Sequence, residues 1–402
     1  MNLKALIRLL KTSPFLAPVL AIIDFVLWLT DTLAIWTAPA PIKPNTLLII
    51  RLDVLGDYLL FRNYIRRIRE SAHYKNYTIT FCGNVAVKSL VEAFDTSVID
   101  QFLWTDIYKL STRPLYRFRF VRELRRAGCS VVFCPTYSRV LVLDDFMARA
   151  SGAAERVGCR GNFINIKRWE AWFGNRIYTR LIDSPDDYMF EMERNRKLVE
   201  GFLQEPVTIE PPRFDLTKAH PISNLPTRYV VFSLGAGQDF RVWPTRRFAQ
   251  VADFIQQYYP NHFIVLTGAP NELVYSQQFM RELTDHNRID DRTGKLSLAE
   301  LIFTLSKADL LIANETGILH LAASTQTPTV VISQGKSLVR WHPYPADVAP
   351  YIHHVYPDYI EKHRADLSVI ADEFNPESPF SIETVEVDRV IRLIKTLLIY
   401  SD

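Results

Sequence analysis

Ala308-Asp309-Leu310-Leu311-Ile312-Ala313-Asn314-Glu315-Thr316-Gly317-Ile318-Leu319-His320-Leu321-Ala322-Ala323 is the stretch that decides how this chain folds. Its first six residues form an apolar run that reads as a buried strand. From Asn314 the pattern turns polar, passes a glycine and opens a helix that runs to about Ser324. A second apolar run, Thr329 to Ile332, reads as the next strand. Polar residues and a glycine therefore stand where a parallel strand gives way to a helix, the crevice where doubly wound sheets bind ligands. The unpaired N–H groups and positive dipole end of the helix favour an anion such as a diphosphate. Thr316 is placed to cap the helix and donate its hydroxyl. Gly317 lets a ligand approach the backbone closely. His320 lies one turn in, on the face of Thr316.

Outward from this unit the same alternation recurs. Upstream come the strand Tyr229 to Gly235, the helix Pro244 to Tyr259, the strand Phe263 to Gly268, a helix around Leu273 to Leu283 and the helix Ser297 to Ser306. Near the beginning, Asn45 to Leu52 reads as a buried strand, and a helix follows from about Asp57 to Glu70. Tyr77 to Cys82, Val98 to Leu103 and Ser130 to Phe133 are further strands, with helices around Val85 to Phe94 and Phe118 to Ala127. Such alternation specifies parallel α/β sheets. Pro206, Pro211, Pro212, Pro221 and Pro226 punctuate an aperiodic stretch that reads as an interdomain linker. The expected organisation is α/β: a segment and linker over residues 1–44, one domain over 45–215, a second over 216–380 and an amphipathic terminal helix over 381–402, with a cleft between the domains.

A chain of 402 residues is too long for one ordinary core. Its 48% apolar and 23% charged residues fit a globular protein, and a net charge of +3 gives no reason to expect nucleic acid. Cys82, Cys129, Cys134 and Cys159 have neither zinc nor redox spacing and read as reduced thiols. Lys4, Arg8 and Lys11 precede an apolar stretch from Phe15 to Ala38 with no small-residue cleavage motif. Asp24 and Asp31 share one helical face there, which would be costly in hydrocarbon. Three readings stand: a helix lying in the membrane interface, a helix docked on the protein, and a true span.

Several residues carry possible chemistry. Asp57 follows the Gly56 turn at the end of the first strand, and reads either as a helix cap or as a general base facing the crevice. Gly235 and Gly237 end the first strand of the second domain, and Arg241 is suited to a bidentate phosphate contact or to a plain surface role. His320 is either a phosphate contact or a satisfied core histidine. Glu315 could bond sugar hydroxyls or cap its helix. Arg62 and Arg66, with Arg69, form one basic stripe, and Arg119, Arg122 and Arg126 form another. Each is either a solvated face or a contact for an anionic lipid surface or a phosphorylated acceptor. No His, Cys, Asp and Glu cluster has metal-ligand spacing.

Three of these segments, in order, resemble the lipopolysaccharide heptosyltransferases, glycosyltransferase family 9. They are Leu48-Ile49-Ile50-Arg51-Leu52-Asp53-Val54-Leu55-Gly56-Asp57, Gly235-Ala236-Gly237 with Arg241 and Trp243-Pro244, and Glu315 to Ala323. Arg340-Trp341 and Glu191-x-x-Arg194-Asn195 also fit. The resemblance implies a GT-B architecture, two Rossmann-like domains facing across a cleft. It implies metal-independent, inverting transfer from ADP-heptose, with no cofactor, to a lipid-linked or phosphorylated saccharide of the lipopolysaccharide core at the cytoplasmic face of the inner membrane. By the same resemblance Asp57 matches the base, Arg241 a donor-diphosphate contact, and Thr316, Gly317 and His320 the donor-phosphate motif. Glu315 stands where an aspartate is usual, and Gln238-Asp239-Phe240 is less typical. Two alternatives remain open: a related GT-B transferase with another nucleotide-sugar or acceptor, and a non-catalytic membrane-associated assembly module.

Overall fold

The run Leu47-Leu48-Ile49-Ile50 has no polar alternation because the strand it forms is covered on both faces, as central strands of parallel sheets are. In the computed structural model, which describes residues 17–38, 41–184, 188–374 and 378–398, this run lies in β1, Lys43–Arg51. The other strands of the first sheet are β2 (Thr78–Asn84), β3 (Gln101–Thr105), β4 (Cys129–Cys134), β5 (Glu155–Cys159) and β6 (Arg180–Ile182). The second sheet holds β7 (Tyr229–Ser233), β8 (Phe263–Thr267), β9 (Ile289–Asp291), β10 (Leu310–Asn314), β11 (Thr329–Ile332) and β12 (Ile352–Val355). Every pairing is parallel. The strand orders are β3-β2-β1-β4-β5-β6 and β12-β11-β10-β7-β8-β9. Counted from each domain's first strand, both follow the order 3-2-1-4-5-6 of a Rossmann-like sheet. The two switch points lie between β1 and β4 and between β7 and β10.

The helix Glu191–Leu203 packs against the helix Leu55–Glu70 of the first domain, and Tyr64 donates a 2.9 Å hydrogen bond to the Met192 carbonyl. The terminal helix, Val387–Leu398, buries Val390, Ile394 and Leu398 against the second domain. The domains are not separated by an open gap along their whole length. One apolar cluster runs through both and includes Tyr58, Phe61 and Ile65 on one side and Ile318, Leu319 and Tyr344 on the other. All four cysteines are buried and unbridged.

The N-terminal apolar segment is a helix, Ala17–Trp36. It lies along the helix Pro114–Ala127 of the first domain. Leu27, Asp31 and Ala34 face inward. Asp31 meets Arg117 through two 2.6 Å hydrogen bonds, and neither side chain is exposed to solvent. Arg149 adds a 2.9 Å bond to Thr32 and a stacking contact on Trp28. The opposite stripe, Ile22, Phe25, Val26, Leu29, Leu33 and Trp36, is exposed. Of the three readings of this segment, the docked helix is the one with direct contacts, and its outer face remains apolar.

Candidate active site

Each switch point carries one half of the site. On the first sheet, β1 delivers Arg51, Asp53 and the Gly56 turn, and β4 delivers Thr136, Tyr137 and Ser138. Val54 is the residue that precedes the helix Leu55–Glu70, so Asp57 is not its cap but the third residue of its first turn. A carboxylate there faces the positive helix end. Among the described residues no donor or cation pairs with it directly. Burial, with the nearby Asp53 and Glu191 charges, pushes its carboxyl up to about 8, against the pull of Arg51 and Arg340.

Asp57 lines a cavity of about 240 Å³. The first domain contributes Asn165, and Glu191 enters from the helix Glu191–Leu203. Arg340 and Trp341 come from the second domain. Arg340 bonds Glu191 at 2.9 Å and stacks on Trp341. Arg51 bonds Asp53 at 2.8 Å and the Pro135 carbonyl at 2.7 Å, which fixes the strand end against the next loop. Hydroxyls, an amide, three carboxylates and two guanidinium groups around a small space suit a polyhydroxylated ligand.

The second half is built at the ends of β7 and β10. Asn314 accepts from the Trp243 backbone N–H at 3.0 Å and donates to the Leu234 carbonyl at 2.7 Å, tying the two loops together. Thr316 is the residue before the helix Gly317–Thr325, but its hydroxyl makes no capping bond. The first-turn N–H groups therefore lack a side-chain acceptor from Thr316. Glu315 does not cap the helix either. Its carboxylate meets Arg241, lies 3.2 Å from His342 Nε2 and accepts from Ser333 at 3.5 Å. Burial opposes its ionisation, but His342 and Arg241 hold the carboxyl below the usual range. Arg241 also donates to the Glu315 carbonyl, while its Nε has no partner. Gly235 packs against the Glu272 carboxylate with no room for a Cβ, whereas the space beside Gly237 is open.

The two halves touch. Leu55 lies against Gly317, and Gly56 against the His320 ring. His320 Nδ1 is 2.7 Å from the Tyr344 hydroxyl, and burial lowers its pKa to about 4, so it is neutral at pH 7. Any contact it makes with an anion is that of a neutral imidazole. Arg62 and Arg66 do not line the Asp57 cavity. Arg62 is buried in an ion pair with Asp95 at 2.8 Å and stacks on Phe214. Arg66 is exposed on the same helix and borders a separate cavity of about 510 Å³ beside Glu210 and Arg213. Among the described residues, no group of three or more His, Cys, Asp or Glu side chains is placed to hold a metal ion.

Glu191, Arg340 and Trp341 fit the resemblance, but nothing in the local sequence assigns them a place in the site. Their convergence on Asp57 joins segments far apart in the chain, and no local pattern announces it. Tyr137, Ser138 and Asn165 carried no signal at all.

Two Rossmann-like domains with a polar site where their switch points meet define the GT-B architecture. The chain belongs to glycosyltransferase family 9 (heptosyltransferase), whose profile matches residues 148–366, more than half of its length. It is 28% identical over 152 residues to lipopolysaccharide heptosyltransferase 3 of Escherichia coli (strain K12). That match takes in 36% of this chain and 43% of the relative, so the chain spans less than half of the curated protein it matches. Its fold is similar to a family 9 glycosyl transferase from Veillonella parvula DSM 2008, with a TM-score of 0.67 and 16% identity over 90% of this chain and 99% of that one. It is also similar to the E. coli heptosyltransferase WaaC solved with ADP-2-deoxy-2-fluoro heptose, with a TM-score of 0.65 and 14% identity over 87% and 99% of the two chains.

Proposed function

We propose that the protein is an inverting glycosyltransferase that moves a heptose from ADP-heptose to a saccharide of the lipopolysaccharide core. In this reading the acceptor sits in the cavity beside Asp57. Asp57 takes the proton of the acceptor hydroxyl as its oxygen attacks the anomeric carbon. The bond from that carbon to the diphosphate breaks, and its electron pair leaves on ADP. The N-terminus of the helix Gly317–Thr325, the Thr316 hydroxyl and Arg241 meet the diphosphate as negative charge develops on it. Gly235 shapes the turn beneath it, and Gly237 leaves space for the nucleotide. Glu315 orients Arg241 rather than binding the sugar. Arg62 and Arg66, outside the cavity, serve the acceptor side only at longer range, through Arg66.

The observation that carries this reading is Asp57 itself: a carboxylate without a partner in a cavity lined by both domains, one helix end away from Gly317. A carboxyl held near neutral pH is a stronger base than an ordinary aspartate. The test is Asp57→Asn. ADP-heptose binding by calorimetry is expected to survive, and transfer to fall by about 10²–10⁴-fold. Turnover at the wild-type rate would reject the assigned base.

Glu315 supports a second reading, a related transferase with a different nucleotide-sugar, because its tie to His342 and Arg241 occupies the place of a shorter aspartate. A donor panel separates the two: a UDP-sugar outcompeting ADP-heptose would favour the second. For either donor, the exposed apolar face of the helix Ala17–Trp36 supports work at a membrane surface on an acceptor held in the bilayer, and the likeness to a lipopolysaccharide heptosyltransferase favours the cytoplasmic face of the inner membrane. The helix is long and apolar enough to cross a membrane, but its docking on the first domain favours a peripheral or monotopic placement.

A further inference from the structure

The helix Ala17–Trp36 is not the only apolar surface on its side of the first domain. The helix Arg168–Asn175 turns Ala171 and Gly174 inward and Trp169, Trp172 and Phe173 outward. Gly174 is seated so closely on Asp145 that a Cβ there would lie 2.1 Å from its carboxylate oxygen, which holds this face of the helix inward and its aromatics outward. Trp169 remains 50% exposed and Trp172 61%. Between the two helices runs an apolar slot of about 380 Å³. Phe25 and Trp28 form one wall, Trp169 and Phe173 the other, and Leu141 and Phe146 also line it. Its volume falls in the range of small-molecule sites, roughly 300–1,000 Å³. Asp24 is the acidic residue of its lining and is itself partnered.

Beside the acidic Asp24 and Glu170, three arginines ride on the aromatics of this surface. Arg149 lies 5.0 Å from the Trp28 ring, Arg176 3.5 Å from Trp172 and Arg168 5.6 Å from Phe163. Aromatic rings carrying guanidinium groups are what a protein presents to the headgroup layer of an anionic membrane. The same surface continues into the active site. The loop that ends at the helix Arg168–Asn175 exposes Phe163 and Ile164, and its Ile164 and Asn165 line the Asp57 cavity. Asn165 is held there by a 2.9 Å bond to the Ser138 carbonyl.

We infer that the slot between Trp28 and Trp169 takes one acyl chain of an anionic bilayer lipid, and that the helix Arg168–Asn175 is a second membrane-seating element that sets the mouth of the Asp57 cavity at the bilayer surface. The inference rests on the membrane placement proposed above and adds a site to it. Seated this way, a lipid-anchored acceptor would reach Asp57 without leaving the headgroup layer.

The test uses the full chain and vesicles of phosphatidylethanolamine and phosphatidylglycerol. Trp169→Ser/Phe173→Ser is expected to weaken sedimentation with these vesicles about tenfold or more. Its melting temperature should change little, since Trp169 is half exposed and Phe173 touches the core only at its edge, against Phe146. In parallel, phospholipids brominated in their acyl chains are expected to quench the tryptophan fluorescence of the wild type, and the conservative Trp169→Phe to lose part of that quenching. Undiminished vesicle binding by the double variant, or undiminished quenching in Trp169→Phe, would overturn the slot while leaving the membrane placement standing. A wild-type protein that does not sediment with the vesicles would overturn both.

Discussion

A Cβ built on Gly56 would stand 3.0 Å from Cδ2 of His320, although one residue belongs to the first domain and the other to the second. The two helix ends that carry the proposed base and the proposed anion cradle are thus in van der Waals contact. Glycine at position 56 sets how closely they approach. Gly56→Val should force the seam apart, at a cost of about 1–3 kcal/mol for overpacking. The expected outcome is a lower melting temperature and a lower kcat/KM. Adding His320→Ala should recover part of both losses, because the side chain that clashes has gone. Strictly additive effects in this double-mutant cycle would show that the two residues do not meet.

Asp57 gives the protein a pH signature that does not depend on knowing the substrate. Its carboxyl is raised from 3.8 to about 8 in the folded chain. Between those values the unfolded chain has lost a proton that the native state keeps, so stability falls as pH rises and levels off above about 8. Asp57→Asn removes this dependence. Thermal melts from about pH 5 to about pH 9 should show a flatter curve for the variant, with its largest advantage at the alkaline end. Equal slopes in the two proteins would mean that Asp57 is not held protonated. With substrates, wild-type kcat/KM should climb with pH towards a plateau above about 8, as expected for a base that acts ionised.

Glu315 and Arg241 act as a unit. The carboxylate fixes one end of the guanidinium, whose Nε is buried without a partner. Glu315→Gln preserves shape but weakens the hold, since a hydrogen bond to a charged group contributes about 1.5–3 kcal/mol. Calorimetry with ADP should give at least about tenfold weaker binding. Arg241→Ala should weaken it further. Tighter binding by Glu315→Gln would mean that the carboxylate competes with the diphosphate for Arg241 instead of positioning it.

The sequence exposes the fold where residues repeat a period and hides it where strands are short. β1, β4, β7, β10 and β11 are nearly continuous apolar runs, because both faces of a central strand are covered. β6 and β9 have three residues each, and β12 reads Ile-His-His-Val. At a sheet edge, partial burial leaves little apolar pattern to detect. The site divides in the same way. Asp57 and Thr316 stand beside glycines at strand ends, so local pattern places them. Glu191 and Arg340 reach the cavity only because the chain after β6 and the chain after β11 both return to the first switch point. Thr316 also illustrates the limit of a propensity: a residue suited to capping stands in the capping position and leaves the bond unmade.

Asp31 and Arg117 decide what the N-terminal helix is. Removing one member of a fully buried ion pair costs about 3–5 kcal/mol, because the other charge is left without compensation. Asp31→Asn should therefore lower the denaturation midpoint of the whole first domain and make the helix Ala17–Trp36 accessible to protease. Asp31→Leu/Arg117→Met replaces the pair with apolar side chains of similar volume and should restore both properties, since such exchanges are often neutral. A transmembrane anchor joined to the domain only through its linker would behave otherwise: its aspartate would affect membrane insertion and leave the domain's midpoint alone. Because Asp31 meets Arg117 with both side chains shielded from solvent, the helix lies along the domain. The apolar face it offers a bilayer is then its exposed stripe, which includes Val19 and runs from Ile22 to Trp36.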